Sequence, residues 1–184
     1  MGSNMYFSKF PNIIYDSVGA GEYKVVTHLL KRVAIHSKAI SVAALFDTYD
    51  VKNGETPEML ADKYYGDSEY HWVILMVNNI TDRYHQWPMN TRQFLAHIAE
   101  RYDNMNAIHH YEINQTSGDT TKKIDIGLAN IDVNGDTIAD ATLITNREYE
   151  ELKQDEIRNI RLLDPTYLEN FVEDFSKLIS DTKD

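Results

Sequence analysis

A chain of 184 residues with a 42% hydrophobic share is long enough to bury a core and too apolar for wholesale disorder. Its net charge of −11 argues against a nucleic-acid backbone or an anionic membrane as main partner, and the absence of cysteine excludes disulfides and thiolate zinc sites. No apolar run approaches the roughly 20 residues of a membrane span and no signal-peptide core opens the chain, so use without export is expected.

Residues 5–48 hold Tyr6-Phe7, Phe10-Pro11 and Ile13-Ile14-Tyr15, a turn at Gly19-Ala20-Gly21, and a run from Tyr23 to Ile35. In that run Val26, Leu29, Leu30 and Val33 fit helical spacing, while the β-branched residues suit an extended arm. Nothing here closes a core of its own. The segment is expected to be an arm laid against something else, with Phe7, Phe10, Ile13 and Tyr15 as partner contacts.

From Tyr49 the pattern becomes specific. A short strand (Tyr49, Val51) runs into Asn53-Gly54-Glu55-Thr56-Pro57, where Thr56 suits the N-cap and Pro57 the first helical position. Met59, Leu60, Lys63 and Tyr64 share a helical face, and Gly66 supplies a left-handed stop. Asp67 then caps a second helix with Tyr70, Val73, Ile74 and Val77, ended by Asn78-Asn79. Tyr64, Tyr65, Tyr70, Trp72, Tyr84 and Trp87 form the densest aromatic group; Trp72 and Trp87 are expected in the core.

A helix is predicted from Met89 to Tyr102, with Asn90 and Gln93 approximating a capping box and Phe94, Leu95, Ile98 and Tyr102 as its apolar face. Residues 105–145 change to short alternating runs, 110–113, 124–126, 131–133 and 137–138, separated by Ser117-Gly118-Asp119 and Asn134-Gly135-Asp136. Asn-Gly between such runs signals a hairpin, so a small β meander is expected. Residues 146–184 read as helical: a charged helix over Arg147–Leu163 with a thin stripe of Tyr149, Leu152, Ile160 and Leu163, then a fresh start at Asp164-Pro165. The last helix has a strong face of Leu168, Phe171, Val172, Phe175, Leu178 and Ile179, and Tyr149, Leu168, Phe171 and Phe175 complete the expected partner contacts.

Catalytic patterns are missing. Asp132, Asn134, Asp136 and Asp140 invite a calcium loop, but the glycine and glutamate such a loop needs are replaced by Thr137 and Leu143, and a turn explains the same residues. His109-His110 reads as a surface pair without a third ligand. Glu148, Glu150, Glu151, Asp155 and Glu156, spaced with Arg147, Lys153 and Arg158, read as a solvated or contact face. No enzyme, cofactor or metal is expected.

Strand, tight turn, helix, glycine stop and helix ending in asparagine resemble a LysM module, carried by Tyr49, Gly54, Thr56, Leu60, Gly66, Trp72, Asn78 and Trp87. That family closes with a second strand after Pro-Gly-Gln, and residues 80–95 hold none, so one wall of the sugar groove is expected to be missing or rebuilt. The whole chain is similar to the baseplate wedge protein 53 family of T-even-like contractile-tailed phages. The resemblance is carried by FSKFPNIIYD, by ETPEMLADKYYGDSEYHWVILMVNNITDRYHQWPM, by QFLAHIAERY and by ITNREYEELKQDEIRNIRLLDP. It implies an α+β protein: an N-terminal arm (5–48), a LysM-like strand-helix-helix core with the following helix (49–104), a β meander (105–145) and C-terminal helices (146–184). It implies a structural component of the virion tail baseplate, assembled in the host cytoplasm, that completes the wedge and joins wedges by protein–protein contacts. Its partners would be other baseplate wedge proteins and neighbouring wedges, with no nucleic acid or membrane. The alternative is a peptidoglycan-binding LysM-type module of a tail or lytic protein, which the absent closing strand disfavours.

Overall fold

Between Asn159 and Leu163, Ile160 and Leu162 are buried while Asn159 and Arg161 face out, the period of a strand. The computed structural model describes residues 5–33, 43–116, 118 and 122–180. In it this stretch pairs antiparallel with Phe46–Asp50, Phe46 opposite Leu163 and Asp50 opposite Asn159. The helix expected to continue to Leu163 therefore stops at Arg158. Pairing of alternate apolar residues over a sheet partner wins over helical continuation. The strand that pairs with Phe46–Asp50 thus comes from far along the chain and not from residues 80–95.

The fold is α+β and divides into two units. One takes the chain up to Trp87 and again from Asn159; the other is Pro88–Arg158. The expected segments 49–104 and 146–184 each contribute to both.

The first unit contains a hairpin of β1 (Asn12–Tyr15) and β2 (Lys24–Thr27), then β3 (Phe46–Asp50), α1 (Pro57–Tyr65), α2 (His71–Val77) and a short α3 (Arg83–Gln86). Its second half, following the other unit in sequence, is the strand β7 (Asn159–Leu163) and the last helix α6 (Leu168–Ser180). Of the ambiguous run from Tyr23, Lys24–Thr27 is extended, and Ala34 and Ile35 lie outside the described residues.

The local signals around α1 and α2 act as the sequence indicates. Thr56 accepts the Met59 N–H, Pro57 opens α1, and Gly66 closes it at φ 78° with its N–H on the Asp62 carbonyl. Asp67 accepts the Glu69 N–H before α2. At the far end Asn79 takes the left-handed conformation (φ 54°), its N–H reaching the Met76 carbonyl and that of Ile80 the Leu75 carbonyl.

Two apolar clusters meet on α2. Ile74 packs with Val51, Leu60, Ala61, Trp87, Ile160 and Leu162; Trp72, Val73 and Val77 pack with Phe10, Leu163, Leu168, Phe175 and Ile179. Trp72 lies 4.7 Å from the Phe175 ring, and Trp87 donates its indole N–H to the Glu55 carbonyl at 2.8 Å. Both tryptophans are core residues.

Asn78 ties these pieces together. Its side-chain amide donates to the Ile74 and Arg161 carbonyls, both at 2.8 Å, and its oxygen accepts the Arg161 N–H at 2.8 Å. The side chain behaves as a peptide unit, caps α2 and grips β7.

The second unit contains α4 (Thr91–Arg101), β4 (Ile108–Asn114), β5 (Lys123–Gly127), β6 (Thr142–Thr145) and α5 (Asn146–Arg158), with β4 between β5 and β6. The Asn90–Gln93 capping box forms in both directions. Leu95, expected on the buried face of α4, is exposed. Asn134-Gly135 turns the chain at an isolated bridge between Ile131 and Thr137, while Ser117 and Asp119 lie outside the described residues.

Asn78→Asp keeps the side-chain shape but removes both donated bonds and sets a carboxylate against two carbonyls. Urea denaturation is expected to show a loss of roughly 1–3 kcal/mol; an unchanged midpoint would remove Asn78 from the account of how β7 is held. Trp72→Ala is expected to cost about 3–5 kcal/mol in the same measurement.

Candidate docking surface

Aromatic residues near the N-terminus divide into an anchor and a display. The turn Tyr6–Lys9 brings the Tyr6 ring to 5.5 Å from both Trp72 and Phe175, and 5.0 Å from Phe10. Phe10 is buried in the core, whereas Phe7 next to it is exposed. Burial pushes the Tyr6 hydroxyl above its ordinary pKa, so it stays neutral.

Beyond this anchor the hairpin buries almost nothing. Its register sets Ile13 opposite Val26 on one face and Ile14 opposite Val25 on the other. Ile14 is 72% exposed, Val25 71% and Tyr15 52%; only Val26 is half-buried. A two-stranded hairpin without a packed face is marginal in water. The turn compensates in part: the Asp16 carboxylate accepts N–H groups from Val18, Gly19 and Gly21 at 2.8–3.2 Å. The bond from Gly21, then those from Val18 and Gly19, outweigh the small desolvation and hold Asp16 below the usual carboxylate range. Gly19 and Gly21 have positive φ, which gives this loop its shape.

The C-terminal helix is less available than its sequence promises. Leu168 and Phe175, expected as partner contacts, are buried in the chain's own core, and Phe171 is half-buried with its ring 6.1 Å from Trp72. They face inward because Trp72, Val73 and Val77 of α2 need an apolar cover. With Phe10 also inside, the expected contacts left at the surface are Phe7, Ile13 and Tyr15. Tyr149 lies in the second unit, half-buried, stacked on His109 at 3.7 Å.

Two of the expected scaffold residues, Tyr49 and Gly54, meet at the turn before α1. Tyr49 donates to Glu55, and the Lys63 ammonium donates to the Tyr49 hydroxyl at 2.8 Å and to Glu55 at 3.2 Å. Glu55 also accepts the Lys52 N–H at 2.9 Å. Desolvation raises the Glu55 pKa, but the bonds from Lys52, Tyr49 and Lys63 outweigh it and keep the carboxyl ionised. Gly54 (φ 81°) gives the turn its tightness.

The second unit carries a buried polar cluster that the sequence presents as surface. Glu150 is 3% exposed and accepts the Tyr102 hydroxyl at 2.8 Å, with His97 and Arg101 each at 3.5 Å. Burial opposes its charge, yet the Tyr102 bond and the Lys153, Arg101 and His97 charges hold its pKa below the ordinary value of 4.5. His109 and His110, expected as a surface pair, lie against each other, and His110 is buried. A bulge beside Ile108 brings their Nδ1 atoms to 2.8 Å, and His110 is buried against Glu112 at 3.1 Å. Thr145 and Glu148 form a reciprocal cap on α5, legible as Thr-x-x-Glu. The carboxylate of Asp132 turns inward to accept the Asn134 and Asp136 N–H groups, each at 2.8 Å. Among the described residues no cluster of three or more His, Asp or Glu is placed to hold a metal.

Two comparisons bear on this geometry. The family described as base plate wedge protein 53 matches residues 5–127, which include the anchor and the hairpin. The baseplate wedge protein gp53 of Enterobacteria phage T4 is 33% identical over 58 residues, 32% of this chain. That alignment spans 30% of the relative, so this chain covers less than a third of the curated protein's length.

Phe10→Ala is expected to lower stability by roughly 3–5 kcal/mol, whereas Ile14→Asp is expected to change it by no more than about 0.5 kcal/mol; equal losses in urea denaturation would mean the hairpin belongs to the core. Glu150 has a depressed folded pKa, so its contribution is present above 4.5 and lost as pH falls through the folded value. Glu150→Gln is therefore expected to flatten the acid limb of a stability–pH profile below about pH 5.

Proposed function

The chain belongs to the base plate wedge protein 53 family, and on that footing we propose that it is a structural, non-catalytic component of a phage tail baseplate. It completes the wedge and mediates association of neighbouring wedges through contacts with other baseplate proteins, assembling in the host cytoplasm. The observation that carries this reading is the hairpin: apolar on both faces, uncovered, and tethered to a rigid core through Tyr6 and Phe10. Such a surface fits a chain that completes its packing on a neighbour, where each Å² of apolar area removed from water contributes about 25 cal/mol.

The rival, a peptidoglycan-binding module, gains from the strand–helix–helix–strand order that β7 completes, which supports a LysM-like scaffold. It loses at the polar groups that would meet a sugar. Glu55 is taken by Tyr49, Lys63 and the Lys52 N–H, Thr56 by the Met59 N–H, and Asn78 by Ile74 and Arg161. Each already has its partner within the chain, so sugar hydroxyls would have to displace bonds to the protein's own groups.

Quantitative mass spectrometry of purified particles, referenced to a tail protein of known copy number, is expected to find this chain at a small fixed multiple of six. Absence from the particle would overturn the wedge role, and sacculus binding would then take its place. In the phage, Ile14→Asp is expected to stop baseplate completion while the purified variant keeps wild-type stability.

A further inference from the structure

Among the described residues, the arm 23–33 and residues 124–141 both expose apolar side chains, and the two stretches carry opposite charge. From Tyr23 to Val33 the arm holds Lys24, Lys31 and Arg32 and not a single carboxylate, although the whole chain has a net charge of −11. Val33 packs against the chain's own core and Val26 is half-buried, but the other apolar residues stand in water: Val25 is 71% exposed, Leu29 59% and Leu30 87%. In the second unit, residues 124–141 hold Asp125, Asp132, Asp136 and Asp140 and no lysine or arginine. Here Leu128 is 72% exposed, Ile131 52% and Val133 fully exposed.

Each patch also borders a sheet edge. β2 pairs only with β1, and β5 only with β4, so among the described residues both keep one open row of backbone donors and acceptors. Two of the aspartates are held in place: Asp125 accepts the Gly127 N–H at 2.7 Å, and Asp132 those of Asn134 and Asp136. Bonds from Asp136 and Asn134 keep Asp132 below the usual carboxylate range, so the patch stays negative at neutral pH.

We propose that the basic, apolar strip 23–33 of one copy of this chain docks on the acidic, apolar patch 124–141 of a second copy. This inference rests on the wedge role proposed above and names a partner for it. Charge sign, exposed apolar surface and an open strand edge match on the two sides, which is the complementarity that selects one partner over others. Because the two surfaces differ, the contact is head-to-tail: each copy still offers one free surface, so association continues beyond two copies, to a ring where the rotation closes and to a filament where it does not. A self-complementary patch would stop at two copies.

Mass photometry and sedimentation of the full chain are expected to show concentration-dependent oligomers that weaken at high ionic strength. Leu30→Asp and Val133→Asp replace exposed residues, and each variant alone is expected to be monomeric with an unchanged circular dichroism spectrum. Mixed one to one, they are expected to form a dimer that grows no further, since each supplies the surface the other lacks. Tyr84→Asp, 85% exposed and outside both patches, is expected to leave association as in the wild type. A wild type that stays monomeric at every concentration overturns the proposal, as do single variants that still associate or a mixture that does not. The wedge role fails separately, by absence of the chain from particles.

Discussion

The return of β7 is the constraint on which the first unit depends. β3 and the two helices after it have their caps, stops and apolar faces in continuous sequence, yet they enclose a core only when Ile160 and Leu162 arrive from beyond the second unit. Closing so long a loop costs entropy that grows slowly with its length. What offsets it is local and strong: five backbone pairs with β3, three buried aliphatic side chains, and the three bonds of Asn78. Asn78 matters because it joins the end of α2 to the strand, so helix termination and strand docking become one event. The family match ends at residue 127, short of this strand, so the residues that carry the family signal are closed by residues outside it.

The same logic sorts the aromatic residues. Those with a partner surface inside the chain are drawn in: Tyr6 and Phe10 from one end and Phe175 from the other converge on Trp72. The hairpin has no such surface and is left displayed. The chain thus spends its apolar ends in two ways, one to lock the scaffold and one left at the surface, and the proposed structural role draws on the second.

In the second unit the order is set by polar groups. Glu150, His110, Asn146 and Gln154 are buried in a segment whose composition reads as solvated. Each finds a partner: Glu150 the Tyr102 hydroxyl, Asn146 the Asn104 carbonyl, Gln154 the Met89 N–H and His110 the Glu112 carboxylate. A buried polar group left without such a bond would cost more than the bond contributes. The first three pairs fix α5 against the segments that precede α4 and β4, and the fourth lies within β4.

What the sequence determined by itself was local. Thr56-Pro57, Gly66, Asp67, Asn78-Asn79 and the Asn90–Gln93 box each act within a few residues, through backbone conformation and short-range bonds, and so were legible without a fold. The residue pattern also carried the family, since the family match starts at the same arm that FSKFPNIIYD opens. Tertiary structure decided everything that needs a distant partner. Ile160-Arg161-Leu162 could extend a charged helix or form a strand, and only β3 across the sheet chose between them. Phe175 could face a neighbour or Trp72, and the bulge that brings His109 to His110 has no signature in composition. An apolar side chain records that it is to be buried; which surface buries it depends on where the rest of the chain comes to lie.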